Sequence, residues 1–264
     1  MPRPDSSRCC STVTSLSLAL ALTAATLGCN KKNEAAAPAP AALAANAPPA
    51  TGPGALGKGS IAGNVKFTGK APEMRAVNTP DPFCARQPIK EEEVMVGPGG
   101  GLKNVIVRVV KGAAGTYDAP STPATIDQNG CMYRPRAQVV MAGQTIQIRN
   151  SDQTLHNVHT YRGASTMFNQ AQIPGMAPLT KTLTEGGQII KFKCDVHPWM
   201  TGYVAVATNP FFAVSGADGN FTIDKLPAGT YTVEAWHERL GTRTADVTVT
   251  EGQPAKLQLE FAAL

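Results

Sequence analysis

The chain has 264 residues, of which 42% are hydrophobic and 16% charged, with a formal net charge of +5. That length accommodates one large or two small globular domains, and so mild a basicity argues against a nucleic-acid binder or a strong binder of membrane surfaces. Four histidines and six cysteines are few enough to be accounted for one by one.

The N-terminus, residues 1–28, reads as a targeting segment. Arg3 and Arg8 precede a short apolar stretch, Leu16 to Leu27, that is rich in small residues and closes on Gly28-Cys29. This is the pattern of a lipoprotein-type secretory signal. Thr26-Leu27-Gly28-Cys29 departs from the commonest lipobox, which leaves an ordinary cleaved signal as the alternative. A lipid on Cys29 would anchor the mature chain to a membrane without spanning it. The expected location is then the bacterial cell envelope, facing the periplasm or the extracellular side. Loss of Arg3, Arg8 and Asp5 with the signal lowers the formal charge from +5 to +4. Residues 29–58 are mostly Ala, Pro and Gly without apolar periodicity, the composition of a semi-extended tether.

From residue 59 onward nearly every segment alternates in twos or is a short β-branched run, among them SIAGNVKF, NVIVRVV, QTIQIRN, QIIKFKC, YVAVA, YTVEAW and KLQLEF. Gly, Pro and Asn/Asp clusters separate them, so the pattern predicts an all-β chain built from Greek-key sandwiches. Ala71 to Gly101 lacks periodicity, and its acidic run, Glu91 to Glu93, reads as solvated surface. Further on, Asp218-Gly219 is a hairpin signal and Pro227-Ala228-Gly229 a turn.

KCDVHPWM places Cys194, His197 and Met200 at the spacing Cys-x2-His-x2-Met, directly after the alternating run IIKFK. About forty residues upstream, His156 follows another strand-like run, QTIQIRN. A soft thiolate, two imidazoles and a weak thioether suit one copper ion cycling between Cu(I) and Cu(II). His159 stands three positions from His156, an odd offset that sends it to the other face of a strand, so it is assigned to packing or surface. His237 has no partner spacing. Cys9 and Cys10 leave with the signal, Cys29 carries the lipid and Cys194 holds the metal. Cys84 and Cys131 remain, an even pair in an oxidising compartment. Their disulfide would close a loop of about 48 residues and contribute about 4 kcal/mol; two free thiols or a second metal site are the alternatives.

The ligand set and its strand context resemble the cupredoxins, the small blue copper proteins, with a short amicyanin- or plastocyanin-like ligand loop. The resemblance covers about Gln128 to Thr208. It implies a type 1 copper centre held by His156, Cys194, His197 and Met200, with Met200 as the weak axial ligand and Asn157 tying the two ligand segments together. It also implies an apolar docking patch for redox protein partners, donor and acceptor, at Pro198 and Trp199, with Met167, Phe168, Ile173, Pro174 and Met176 nearby and His197 at its mouth.

Residues 209–264 resemble the carboxypeptidase-regulatory-like, or transthyretin-like, β module, and so does the opening GSIAGNVKFTGKAP. One division is a cupredoxin-like domain at 59–208 with an N-terminal β extension, followed by the smaller module at 209–264. In the other, strands from 59–112 complete that module and the cupredoxin is inserted into it. The implied function is a one-electron carrier and not an enzyme, with a periplasmic copper-binding protein for storage, delivery or sensing as the alternative. Four histidines cannot supply the paired His-x-His motifs of a trinuclear copper cluster, and no second Cys lies near Cys194 for a binuclear one.

Overall fold

The computed structural model describes residues 52–263, so the expected signal, Cys29 and most of the tether lie outside the described residues. In chain order the strands are β1 (Gly59–Thr68), β2 (Ile106–Lys111), β3 (Ala124–Gln128), β4 (Tyr133–Arg134), β5 (Ala137–Met141), β6 (Thr145–Asn150), β7 (His156–Arg162) and β8 (Ser165–Gln172). They continue with β9 (Leu179–Thr182), β10 (Ile189–Lys193), β11 (Thr201–Ala207), β12 (Phe212–Val214), β13 (Asn220–Leu226), β14 (Gly229–His237), β15 (Gly241–Val249) and β16 (Pro254–Ala262). The only helical elements among the described residues are two 3-10 turns, at Cys84–Arg86 and Pro98–Gly100.

The first sandwich packs a sheet of order β4-β3-β6-β9 on one of order β5-β11-β10-β7-β8. Parallel pairs β3/β6 and β5/β11 join non-consecutive strands, so the connections between them cross over. Period-two alternation sets the faces. On β10, Ile190 and Phe192 are buried while Ile189, Lys191 and Lys193 are only half so. Ile126, Ile146, Ile148, Val158, Phe192 and Val204 fill the space between the two sheets, together with Cys194 and Met200.

The second sandwich packs β13-β1-β16 on β12-β2-β14-β15 around Ile61, Phe211, Ile223, Val233 and Phe261. β2 pairs with both β12 and β14, with Ile106 opposite Val214 and Trp236, and β1 pairs with β13 and β16. The chain between β2 and β12, which holds the whole first sandwich, is therefore looped out between two adjacent strands of the second. A third apolar layer joins them: Ala137, Val139, Ala205 and Ala207 from the first sandwich meet Ile106, Phe212, Val214 and Trp236 from the second. Arg136 and Glu238 pair across this layer at 2.6 Å, and both are buried.

Three local expectations change. Asp218-Gly219 does not make a hairpin, because β12 and β13 belong to different sheets. The turn arches over the sandwich edge, and Gly219 has φ +79° with the Val65 carbonyl where a Cβ would stand, so only glycine fits. Glu91 to Glu93 are half-buried and each pairs with an arginine: Glu91 with Arg75 inside the same segment, Glu92 with Arg134 and Glu93 with Arg239 outside it. The last two pairs staple the irregular 71–101 segment down. Finally, the tether is already pinned before residue 59, where Gly54 donates its amide to Thr116 O and Gly57 to Lys225 O.

Candidate metal centre

β7, β10 and β11 are adjacent strands, and the site forms where their ends meet. His156 opens β7, Cys194 follows β10, and His197 and Met200 lie in the tight connection to β11. That connection is closed by backbone bonds from Met200 N to His197 O (2.9 Å) and from Cys194 N to Met200 O (3.2 Å). The histidine side is held by Asn150, whose Nδ2 donates to Thr154 O and Gln172 O. Tyr133 is fully buried and donates its hydroxyl to Asn157 O and Lys193 O, so one side chain grips both ligand strands.

Three donor atoms converge. His156 Nδ1 and His197 Nδ1 are 2.9 Å apart, and Cys194 Sγ lies 3.9 Å from the first and 3.7 Å from the second. A point equidistant from all three is about 2.1 Å from each, the bond length a transition metal takes to imidazole and close to that for thiolate. Met200 is fully buried beside them in the same core. His156 and Cys194 are fully buried as well, and His197 is 1% exposed.

The other edge of each imidazole rests on a carboxylate. His156 Nε2 is 2.9 Å from Asp152 Oδ2, and His197 Nε2 is 3.2 Å from Asp81 Oδ2. A carboxylate only accepts, so each ring carries its proton on Nε2 and presents Nδ1 as a lone pair. Both carboxylates are themselves clamped. Asp152 takes the amides of Gly130 and Cys131, consecutive residues with positive φ that form an anion nest. Asp81 takes the amides of Phe83 and Cys84 on Oδ1 and the Thr154 hydroxyl on Oδ2. Burial pushes the Asp81 carboxyl up, but these bonds outweigh it and hold it at about 2. Asp152 likewise stays below the usual range, with burial outweighed by His156 and the two amides.

The donor set is electron-rich and electrostatically coupled. Burial raises the Cys194 thiol, but contacts with His156, the Asn157 amide and His197 bring it down overall, toward thiolate. Burial lowers His156, yet Asp152 and Cys194 raise it overall; burial and the nearby His156 charge lower His197. Two lone pairs and a thiolate aimed at one point call for a cation there, and a soft or borderline metal fits the donors.

Asn157 bridges the ligand segments: its amide N–H points at Cys194 Sγ (3.4 Å) and its Nδ2 donates to Asp195 Oδ2 (3.0 Å). His159 turns away from the donors, bonds to Asp195 and stacks on Tyr161. Pro198 is exposed; Trp199 is half-buried, donates Nε1 to Cys131 O (3.0 Å) and lies 5.1 Å from the His197 ring. Cys84 and Cys131 form the expected disulfide, 47 residues apart. His197 does not stand at a solvent mouth, because Asp81 and Cys84 of the 71–101 segment cover it, with Cys84 Sγ 3.6 Å from Nε2.

Asp81, Asp152 and Tyr133 escaped sequence reasoning. Asp152 had a visible signal, an acid four residues before a ligand histidine in a short polar loop. Asp81 and Tyr133 had none, because their contacts with the site are non-local.

Fold and site together define an all-β protein of two sandwiches with a buried Cys/His2 donor set. Residues 203–262 match the family model of the carboxypeptidase regulatory-like domain, to which the structure adds β1 and β2 from upstream. Among solved structures, the chain is similar to a purple cupredoxin from Nitrosopumilus maritimus, with 24% identity over 32% of this chain and 99% of that one and a TM-score of 0.29. It is similar to amicyanin from Paracoccus versutus, with 21% identity over 38% and 96% and a TM-score of 0.29. A Cu-containing nitrite reductase from Thermus scotoductus SA-01 shows 16% identity over 55% and 28%, with a TM-score of 0.31. None of the curated proteins matches the chain.

Proposed function

We propose that His156, Cys194 and His197 hold one copper ion as a type 1 centre, with Met200 as the weak axial ligand, and that the protein is a one-electron carrier. The convergence of two Nδ1 atoms and one thiolate sulfur on a point about 2.1 Å from each carries this reading. Bound copper would supply a one-electron couple between Cu(I) and Cu(II). The chain's own part is to fix the donors on strand ends so that little rearranges between the two states. Closure of the site favours a carrier over an enzyme or a delivery protein: exchange of metal or binding of substrate needs an open position, and the ligand residues are at most 1% exposed.

Redox protein partners would dock at this end of the sandwich, where Pro198 and Trp199 lie on the ligand loop with exposed Val196, Leu155 precedes His156, and Ile173 and Met176 follow β8, all four of these apolar residues being exposed. We place the protein in the bacterial cell envelope, lipid-anchored at Cys29 and facing the periplasm or the extracellular side. The Cys84–Cys131 disulfide supports an oxidising compartment. Voltammetry of the copper-loaded protein tests the carrier reading: a reversible one-electron couple that Cys194→Ser abolishes is expected. An irreversible response, or the same couple in Cys194→Ser, would overturn it.

A further inference from the structure

The two carboxylates behind the histidines share one mount. Asp81 accepts the amide of Cys84, Asp152 accepts the amide of Cys131, and those two cysteines are bonded to each other. The chain of contacts runs from His197 through Asp81 to Cys84, across the disulfide to Cys131, and through Asp152 to His156. Cys84 lies on a 3-10 turn in an irregular segment that forms no strand of its own, and the bridge is its covalent tie to the first sandwich, beside the Thr154–Asp81 hydrogen bond and the ion pairs of Glu92 and Glu93. We propose that Asp81 and Asp152 are paired positioning residues for the metal ligands, and that the Cys84–Cys131 disulfide is the element that sets both.

The inference rests on the copper reading only for its metal; the geometry of the mount does not. Asp81 acts by fixing which nitrogen of His197 is bare. Its Oδ1 is committed to the Phe83 and Cys84 amides, so in Asp81→Asn the carbonyl oxygen must stay on that side. The new NH2 then faces Thr154 and His197, where Oδ2 accepted before. His197 Nε2 must become the acceptor, and its proton moves to Nδ1, where it blocks the metal. Asp152 acts in the same sense on His156, and its nest of two consecutive amides leaves no room for a donor there.

The experiment uses the full chain and has two readouts. Nitrogen-15 NMR of the metal-free protein reads the imidazole tautomers directly, and competition with a chelator of known affinity reads Cu(I) binding. The parent is expected to show His197 as the Nε2–H form. Asp81→Asn should convert it to Nδ1–H, while Asp81→Asn and the double substitution Cys84→Ala/Cys131→Ala should each weaken Cu(I) binding by about 10–100-fold, as loss of a ligand's hydrogen-bond partner does. A disulfide serving stability alone would lower the unfolding temperature of the double variant and leave the affinity of its folded form at the parental value, which would overturn the proposal. So would an unchanged His197 tautomer in Asp81→Asn. If the parent binds no copper, the copper reading fails and the tautomer comparison still decides the role of Asp81.

Discussion

His156 and His197 face each other through their Nδ1 atoms at 2.9 Å while their Nε2 edges point outward at two different carboxylates. The two rings are therefore ligands as a pair, and removal of either leaves a donor set with one imidazole. His156→Ala should make bound copper labile and change its spectrum. His159→Ala should leave both nearly unchanged, since His159 bonds to Asp195 and stacks on Tyr161 at 4.2 Å. Equal loss in the two variants, measured by copper retention after gel filtration, would contradict the assignment.

Arg136 and Glu238 join the two sandwiches as an ion pair whose side chains are 4% and 8% exposed. Removing one partner strands the other charge in a low-dielectric layer, so Glu238→Ala should cost about 3 kcal/mol or more. Replacing both with apolar residues should recover most of that. Denaturant unfolding of the single and double variants checks this; a single variant as stable as the parent would show that water reaches the layer.

His237 makes the fold acid-sensitive. Burial, with the Arg136 charge beside it, pushes it down to about 4 from the ordinary 6.5. The unfolded chain therefore takes up a proton below pH 6.5 that the folded chain refuses until about 4. Stability falls as pH drops through that window, by a total on the order of 3 kcal/mol. His237→Gln, which keeps an acceptor for the Arg239 amide, should lose less stability across the same window. Parallel pH profiles for the two proteins would contradict this.

Much of this was legible in the sequence, and the residues that were not share one cause. Ile190 and Phe192 alternate on β10, and Cys194, His197 and Met200 are close in sequence, so strand and ligand loop could be read locally. The pairing of β2 with β14 joins residues more than a hundred positions apart, and no local pattern shows it. Asp81 approaches His197 from 116 residues away, which is why His197 looked open to solvent and is instead roofed over. The Asp218-Gly219 signal was right about the turn and wrong about the partner, because a turn's chemistry fixes local backbone and not which sheet receives the next strand.

The central claim is that His156, Cys194 and His197 form one copper site with a thiolate bonded to the metal. Absorption spectroscopy during titration of the purified protein with Cu(II) tests it most directly. An intense blue thiolate-to-copper band that saturates at one equivalent, bleaches on reduction and is absent from Cys194→Ser is the expected result. Tight binding without that band, or a band that survives in Cys194→Ser, would contradict it.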